Sequence, residues 1–100
     1  MIRVLVLYPR TQDKKFDADY YKNHHMPLVK EKLKPVKIEI DLGIQSRIEP
    51  SPYFAVSHLL FNSIEELTAN CANANEDLNI DKLKFTDIDI ITQISEVTEL

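Results

Sequence analysis

The chain has 100 residues, of which 44% are hydrophobic and 28% are charged. This composition is typical of a globular protein, and the length favours one domain over residues 1–100. The net charge of −4 argues against nucleic-acid binding as the main task. No apolar run is long enough to span a membrane, and the N-terminal segment lacks the features of a secretion signal. We therefore expect a cytoplasmic protein that binds neither nucleic acid nor membrane.

Rare residue types exclude several kinds of site. Cys71 is the only cysteine, so we expect no internal disulfide and no cysteine metal cluster. Gly43 is the only glycine, which excludes a P-loop and a dinucleotide-binding turn, because both need several glycines. The three histidines, His24, His25 and His58, do not have the spacing of a metal motif. We expect a protein without cofactors, which carries no haem, no flavin and no tightly bound metal.

The first predicted element is a central strand. Residues 2–8 are rich in β-branched and aromatic side chains, and Pro9 ends the run. After Arg3 the side chains on both faces are apolar. A strand of this kind is usually covered on both sides in the middle of a sheet. A polar loop over residues 10–16 follows it.

A helix with a disturbed middle is predicted next. Asp17 is a favourable N-cap residue, and apolar or aromatic side chains recur at helical spacing from residue 18 to about residue 34. Pro27 cannot donate a backbone hydrogen bond to the carbonyl of Asn23. We therefore expect a kink or a break near Met26.

The second strand should lie at an edge of the sheet. Residues 36–45 alternate strictly between apolar side chains and polar or small ones, which predicts one buried and one solvated face. Gly43 interrupts this strand and is a candidate β-bulge. Residues 46–52 contain polar residues and two prolines and predict a loop.

The second half of the sequence predicts a strand, a helix and a further strand. Tyr53–Phe61 is again apolar on both faces, and residues 63–66 have the capping-box pattern that opens a helix. The last strand is predicted from about residue 88 to residue 97. Apolar side chains recur at three- and four-residue spacing along the helix: Ile64, Leu67, Cys71, Ala74 and Leu78.

The order βαββαβ predicts an α+β fold, the ferredoxin-like antiparallel sheet with both helices on one face. The first and third strands would then be central and would expose an apolar face larger than soluble monomers usually tolerate. A second copy packed sheet to sheet would cover this face in a C2 homodimer. The alternative is a covering loop or tail, but these elements leave no spare segment for one.

Histidine is the side chain best suited to acid–base chemistry near neutral pH. His25 gains some weight over His24 because a helix break at Pro27 would leave a gap beside its ring. The simpler alternative is one exposed histidine and one that is half-buried and hydrogen-bonded. His58 interrupts an apolar strand face, either as a satisfied core histidine or as a polar group in a pocket. Asp87 is a solvated carboxylate or, if turned inward, an acid–base partner. The candidate catalytic residues are therefore His25, His58 and Asp87.

The candidate substrate-binding residues are aromatic or aliphatic. Tyr20 and Tyr21 lie on the same predicted helix as His25, and each combines an apolar ring with a polar hydroxyl. Cys71 lies on the apolar stripe of the second helix, where a small core residue is the simpler interpretation. The full set is Tyr8, Tyr20, Tyr21, Phe54 and Leu60.

Several stretches of the chain resemble the EthD family. They are Val6-Leu7-Tyr8-Pro9, Asp17-x-x-Tyr20-Tyr21-x-x-x-His25-Met26-Pro27-Leu28, Pro52-Tyr53 at the start of the third strand, and Gln93-Ile94-Ser95-Glu96-Val97. The resemblance covers nearly the whole chain and implies the dimeric α+β barrel fold of that superfamily. By position, His25 matches the family's His-Met-Pro-Leu histidine, which supplies the rest of the choice of His25 over His24, and Asp87 falls in its Thr-Asp/Asn region. The chain departs from the family before Pro52, where members often have a glycine-rich stretch.

The superfamily implies a small organic substrate but no single reaction. Its members include cofactor-free monooxygenases, muconolactone-type isomerases, polyketide cyclases and haem-degrading enzymes, and the absence of tryptophan disfavours the last of these. We expect a cofactor-independent oxidoreductase, isomerase or cyclase-type enzyme that acts on a small hydrophobic molecule, with His25 as general acid or base.

Two other functions remain open. One is an accessory protein that binds or delivers a small apolar ligand for a degradation pathway, and the other is a purely structural dimer. A cavity with at least two inward polar groups favours the enzyme, and a purely apolar cavity favours the accessory protein. The lack of any cavity favours the structural dimer.

Overall fold

The computed structural model describes residues 1–44 and 48–100, and it has the βαββαβ order that the sequence predicts. Four strands form one antiparallel sheet in the order β2-β3-β1-β4. Their bounds are β1 (Ile2–Pro9), β2 (Lys37–Leu42), β3 (Tyr53–Phe61) and β4 (Ile91–Glu96). The ferredoxin-like α+β fold is therefore confirmed, with β1 and β3 in the middle. Gln45 and the first two residues of the loop predicted over residues 46–52 lie outside the described residues.

Two helices connect the strands. The first, α1, covers residues 18–33 in three consecutive segments, and the second, α2, is the helix Ile64–Lys82. The segments of α1 are Ala18–Tyr20, Tyr21–His25 and Met26–Leu33. The helices pack against each other and against the same sheet face, where Val29 of α1 and Leu67 of α2 join Leu59 of β3 in one core cluster. The opposite face of the sheet is not covered by either helix.

Side-chain caps begin both helices, as the sequence predicts. Asp17 accepts a hydrogen bond from the backbone N–H of Tyr20 at 3.1 Å. Ser63 accepts one from the N–H of Glu66, also at 3.1 Å. Each cap satisfies a donor that has no partner within the first helical turn. The second helix then continues to Lys82, well beyond the apolar stripe from which it was predicted.

The segment between α2 and β4 lies further along the chain than the sequence indicates, because α2 ends later and β4 begins later. We expected β4 to begin earlier than Ile91, where its pairing with β1 starts. The preceding residues instead bind the loop in front of α1. The carbonyl of Phe85 accepts from the N–H of Asp17 at 2.8 Å, and the hydroxyl of Thr86 donates to the carbonyl of Lys15 at 2.6 Å. These long-range hydrogen bonds delay the return of the chain to the sheet.

The disturbance predicted near Met26 takes the form of a π-helical turn rather than a break. The turn is Tyr21–His25, and the N–H of Met26 donates to the carbonyl of Tyr21. Pro27 follows in the first turn of the next helical segment, where its missing N–H matters least. Turns of this kind inside α-helices are frequent at functional sites.

The sheet has a bulge, but it does not lie at the glycine. The register of β1 on β3 shifts between Tyr8 and Pro9, which leaves Phe54 as the extra residue. Gly43 lies just after β2, and its N–H donates to the carbonyl of Phe54 at 2.8 Å. A Cβ atom at Gly43 would collide with the carbonyl oxygen of Tyr53. Glycine is therefore required by the close approach of two backbones, not by a bulge in β2.

The substitution Gly43→Ala should lower the free energy of unfolding by about 1–3 kcal/mol, the usual cost of forcing extra atoms into a filled site. Urea denaturation should show a lower midpoint with an unchanged m-value. Thr98→Ala, at an exposed residue after β4, is the control and should leave the midpoint where it is. An unchanged midpoint for Gly43→Ala would mean that the two backbones separate without cost.

Candidate functional site

A cavity of about 180 Å³ lies between the two helices and the covered face of the sheet. It opens between α2 and β4, where the lining residues are exposed. The apolar lining residues are Val4, Val6, Met26, Val29, Leu33, Leu59, Leu67, Cys71, Leu78 and Ile90. The polar ones are Tyr8, His25, Ser57, Asn75, Asn79, Lys82 and Thr92. The cavity is therefore an apolar space into which a small number of polar side chains project.

A buried histidine–carboxylate pair supports the wall of this cavity. Nδ1 of His25 and Oδ2 of Asp81 are 2.8 Å apart, and the two residues are only 5% and 8% exposed. The hydroxyl of Tyr20 donates to the other carboxylate oxygen, Oδ1, at 2.8 Å, and Nζ of Lys84 lies 3.8 Å from that oxygen. Both oxygens of Asp81 therefore have partners, and the pair links α1 to the last turn of α2.

Local helix structure positions both members of the pair. His25 is the last residue of the π-helical turn, and its ring centroid lies 4.6 Å from that of Phe85. Asp81 follows Leu78 by three residues, so it continues the inward-facing row of α2. Sequence reasoning missed Asp81 because the predicted helix stopped too early. Extending the three- and four-residue spacing of the apolar row one step beyond Leu78 leads to Asp81.

The surroundings of His25 keep its imidazole neutral. Burial lowers the pKa of His25 and outweighs the hydrogen bond and negative charge of Asp81, which act to raise it. Burial also acts to raise the pKa of Asp81, but the hydrogen bonds from His25 and Tyr20 outweigh it, and that pKa is lowered. The pair is therefore a neutral imidazole that donates its Nδ1–H to an ionised carboxylate, a tautomer assigned from the hydrogen-bond partners.

This tautomer leaves Nε2 of His25 as an unprotonated nitrogen. Nε2 has no hydrogen-bond partner among the described residues. It is not completely buried either, so it is open to a small molecule. Because His25 lines the cavity, Nε2 is the atom that it offers to a bound molecule. A histidine whose other nitrogen is held by a carboxylate is arranged as a general base.

Buried hydroxyl groups accompany His25. Tyr8 and Ser57 line the cavity, and the ring centroid of Tyr21 lies 5.3 Å from that of Tyr8. The hydroxyl of Tyr21 is buried without a hydrogen bond of ordinary geometry in the described chain, although Ser57 lies near enough to oppose the rise of its pKa. Burial is the main cause that raises the pKa of both tyrosines, so both are neutral hydrogen-bond donors at pH 7.

The structure does not bring His58 to this cavity. Ser57 faces the helices, so His58, the next residue of β3, faces the opposite side of the sheet. There its Nε2 lies 2.7 Å from Oδ2 of Asp41 on β2. Leu60, two residues further along β3, lies on the same open face as His58. These two residues, which we predicted to act with His25, are therefore separated from it by the sheet.

Asp87 and Phe54 also lie away from the cavity. Asp87 is exposed and accepts a hydrogen bond from the N–H of Lys15 at 3.0 Å, so it tethers a loop instead of facing His25. The bulged Phe54 stacks on Phe16 and lies under the guanidinium of Arg10, which is 4.3 Å from its ring centroid. The predicted residues that lie in or directly behind the cavity wall are Tyr8, Tyr20, Tyr21 and His25.

Among residues 1–44 and 48–100, no group of three or more histidine, cysteine, aspartate or glutamate side chains is placed to hold a metal ion. No helix in this part of the chain is both long enough and apolar enough to cross a membrane. Cys71 lines the cavity as a single thiol, and burial raises its pKa, so the thiol is protonated at neutral pH.

Stability should fall in mild acid because of His25. Its pKa in the folded protein lies below the ordinary 6.5, so the unfolded chain binds more protons once the pH falls below 6.5. The stabilisation is complete above that pH and is lost as the pH falls through the lowered pKa. Urea unfolding at about pH 7.5 and about pH 5 should therefore show a smaller acid loss in His25→Gln than in the wild type.

The control for this measurement is His24→Gln, because His24 is exposed and immediately precedes His25. This variant should keep the acid loss of the wild type. A titration of the histidine ring signals by NMR gives the pKa directly. A midpoint for His25 above 6.5 would contradict the neutral ring and indicate an imidazolium–carboxylate pair.

Proteins of known structure share this fold. An EthD-like protein of Ralstonia eutropha is 30% identical, with a TM-score of 0.90, and the match covers 98% of this chain and 92% of that one. An EthD family protein of Bacillus halodurans is 17% identical, with a TM-score of 0.77 over 98% of this chain and 99% of that one. A protein of Arabidopsis thaliana is 12% identical, with a TM-score of 0.72 over 100% of this chain and 98% of that one.

At the two lower identities the likeness is one of fold alone. No protein-family profile matches the sequence, and no curated protein matches it. The match to the Ralstonia eutropha protein, in contrast, combines 30% identity with nearly complete coverage of both chains. The resemblance in the histidine-bearing helix is thus matched by the whole structure, and this chain belongs to the EthD family.

Proposed function

We propose that this protein binds a small, mostly apolar organic molecule in its cavity and transfers a proton through His25. The cavity volume of about 180 Å³ is close to the roughly 150 Å³ that accommodates benzene and below the range of drug-sized ligand sites. A molecule with one ring or a short branched chain therefore fits. The proposal rests on His25, which lines this cavity and whose Nδ1 is bound to Asp81, so that Nε2 is the ring nitrogen left for a ligand.

The neutral imidazole is suited to take a proton from a bound molecule. When a C–H bond of the ligand breaks, its electron pair stays on the ligand and the proton goes to Nε2 of His25. Asp81 holds the ring in the required tautomer and stabilises the imidazolium that forms. The hydroxyls of Tyr8 and Ser57 are donors for a ligand oxygen that gains negative charge. Return of the proton to a second atom completes an isomerisation, which needs no oxidant and no cofactor.

A second candidate is an accessory protein that binds or delivers an apolar ligand without changing it. The apolar side chains of the cavity would bind such a ligand, although a purely apolar cavity would favour this function more than the polar groups present here do. The presence of a cavity counts against a purely structural role. The two remaining candidates differ in whether a bound molecule exchanges protons with His25.

Deuterium exchange tests proton transfer directly. Cyclohexanone has the size of one ring and acidic protons beside its carbonyl, and NMR follows their exchange in D2O. The wild type should accelerate this exchange. His25→Gln should lower the protein-catalysed rate by about 100-fold or more, because a general base contributes roughly 10²–10⁴-fold. Asp81→Asn should also lower it, because the acceptor that fixes the tautomer is weakened.

His24→Gln is the matched control, since His24 is exposed, and it should retain the wild-type rate. Thermal shifts with the same ketone report binding separately from exchange, because a ligand of the folded state raises the melting temperature. Binding without exchange would favour the accessory protein. Equal exchange rates for the wild type and His25→Gln would contradict the role of His25.

We also propose that the protein forms a homodimer through the open face of the sheet. Leu5 and Leu7 of β1 and Val56 and Leu60 of β3 lie on this face, and all four are only half-buried in the single chain. Leu7 pairs with Val56 in the middle of the sheet and Leu5 follows it on β1, whereas Leu60 lies diagonally across from Leu5, beyond His58. A second copy packed on a two-fold axis would remove these apolar side chains from water.

Light scattering should therefore give a mass of about twice 11.6 kDa. Leu5→Lys puts a charge in the middle of the apolar face and should shift the protein to a monomer. Leu83→Lys is the matched control at a residue that is 66% exposed after α2, and it should stay dimeric. A wild-type mass near 11.6 kDa at micromolar concentration would contradict the dimer.

A further inference from the structure

We propose that the ligand is a small organic monocarboxylate whose apolar body fills the cavity and whose carboxylate lies at the cavity mouth against Lys82. This inference rests on the proposed function, because it names the chemical class of the molecule that the cavity binds. The mouth, which lies between α2 and β4, differs in character from the rest of the cavity. The side chains at the mouth favour a negatively charged group on the ligand.

Three polar side chains of α2 form a row along the mouth. Asn75, Asn79 and Lys82 are spaced four and three residues apart and therefore lie on one side of the helix. The adjacent row of the same helix includes Cys71 and Leu78 and faces the apolar interior. The lining thus changes from apolar to polar across the width of one helix. A ligand that matches it has an apolar body and one polar end.

Lys82 supplies a positive charge that no described carboxylate neutralises. It is the one lysine, arginine, aspartate or glutamate among the described residues that line the cavity. Lys32 and Lys84 lie 3.2 Å and 3.8 Å from aspartate oxygens, whereas Lys82 forms no ion pair within residues 1–44 and 48–100. The chain has a net charge of −4, so this cation does not belong to a generally basic surface. The charge at the mouth is therefore available to an anionic ligand.

Neutral donors line the same mouth as this charge. The side-chain amides of Asn75 and Asn79 make no hydrogen bond with other described residues, and the Thr92 hydroxyl lines the same mouth from β4. A carboxylate only accepts hydrogen bonds, so an ammonium together with amide and hydroxyl donors matches it. The apolar interior would not solvate a carboxylate. The ligand is therefore oriented with its charge outward and its apolar body towards His25.

The carboxylate of Asp81 does not oppose this arrangement. It accepts hydrogen bonds from His25 and Tyr20 and does not itself line the cavity. Lys84 lies 3.8 Å from one of its oxygens and offsets its charge. A ligand carboxylate at Lys82 therefore meets no acidic side chain among the described lining residues.

Benzoate and benzyl alcohol are the probes, because they share a ring and differ in charge. Calorimetric titration of the wild type at low salt should give a Kd for benzoate about fivefold below that for benzyl alcohol, as expected of one partly exposed ion pair. Raising the salt from about 20 mM to about 500 mM should remove most of this preference. Lys82→Met keeps an apolar stem and removes the charge. It should lose the preference, with the Kd for benzoate rising to about that for benzyl alcohol.

The charge-matched control is Lys30→Met, at an exposed lysine of α1 outside this cavity, and it should keep the preference for benzoate. Equal binding of the two probes by the wild type would overturn the inference, and so would an unchanged preference in Lys82→Met. In both cases binding of benzyl alcohol would still support the proposed function. If neither probe bound, both the inference and the proposed function would be contradicted.

Discussion

The hydrogen bond between His25 and Asp81 is the contact on which the cavity depends. It joins the π-helical turn of α1 to the last turn of α2, which are 56 residues apart in the chain. Removing His25 would leave a buried carboxylate oxygen without its hydrogen-bond donor, a loss that costs about 1–3 kcal/mol for a neutral group and more for a charged one. Tyr20 adds a second bond from α1 to the same carboxylate. Polar contacts behind the wall thus hold in place a cavity whose surface is mostly apolar.

Asp81 and burial act in opposite directions on the pKa of His25, and burial has the larger effect. The charge of Asp81 favours an imidazolium, whereas the apolar surroundings, including the ring of Phe85, favour the neutral form. The outcome is a base that is unprotonated at neutral pH yet has a carboxylate ready to stabilise its protonated form. A ligand that displaces water from the cavity strengthens the influence of burial. A bound ligand therefore keeps the ring unprotonated, and the imidazolium that forms on proton transfer depends all the more on the charge of Asp81.

Sequence patterns predict the features that local chemistry decides and fail where distant segments meet. The caps at Asp17 and Ser63 and the bounds of β3 follow from short-range preferences, and all are present. The face occupied by His58 could not be predicted, because β3 is apolar on both sides and alternation alone does not say which side the helices cover. The late start of β4 depends on a hydrogen bond from Thr86 to Lys15, which are 71 residues apart. The two residues of the site differ in the same respect. The local sequence around Pro27 indicates His25, whereas the burial of Asp81 depends on partners that the distant helix α1 supplies.

The position of Cys71 has a practical consequence. The chain contains no other cysteine, and this thiol lines the cavity beside the row of side chains at its mouth. Its raised pKa keeps the reactive thiolate scarce, so alkylation at neutral pH is slow. A resident ligand would shield the side of the sulfur that borders the cavity, so the modification rate should fall when the cavity is occupied. The rate at which this native thiol is alkylated would therefore report whether a ligand occupies the cavity, without any engineered label.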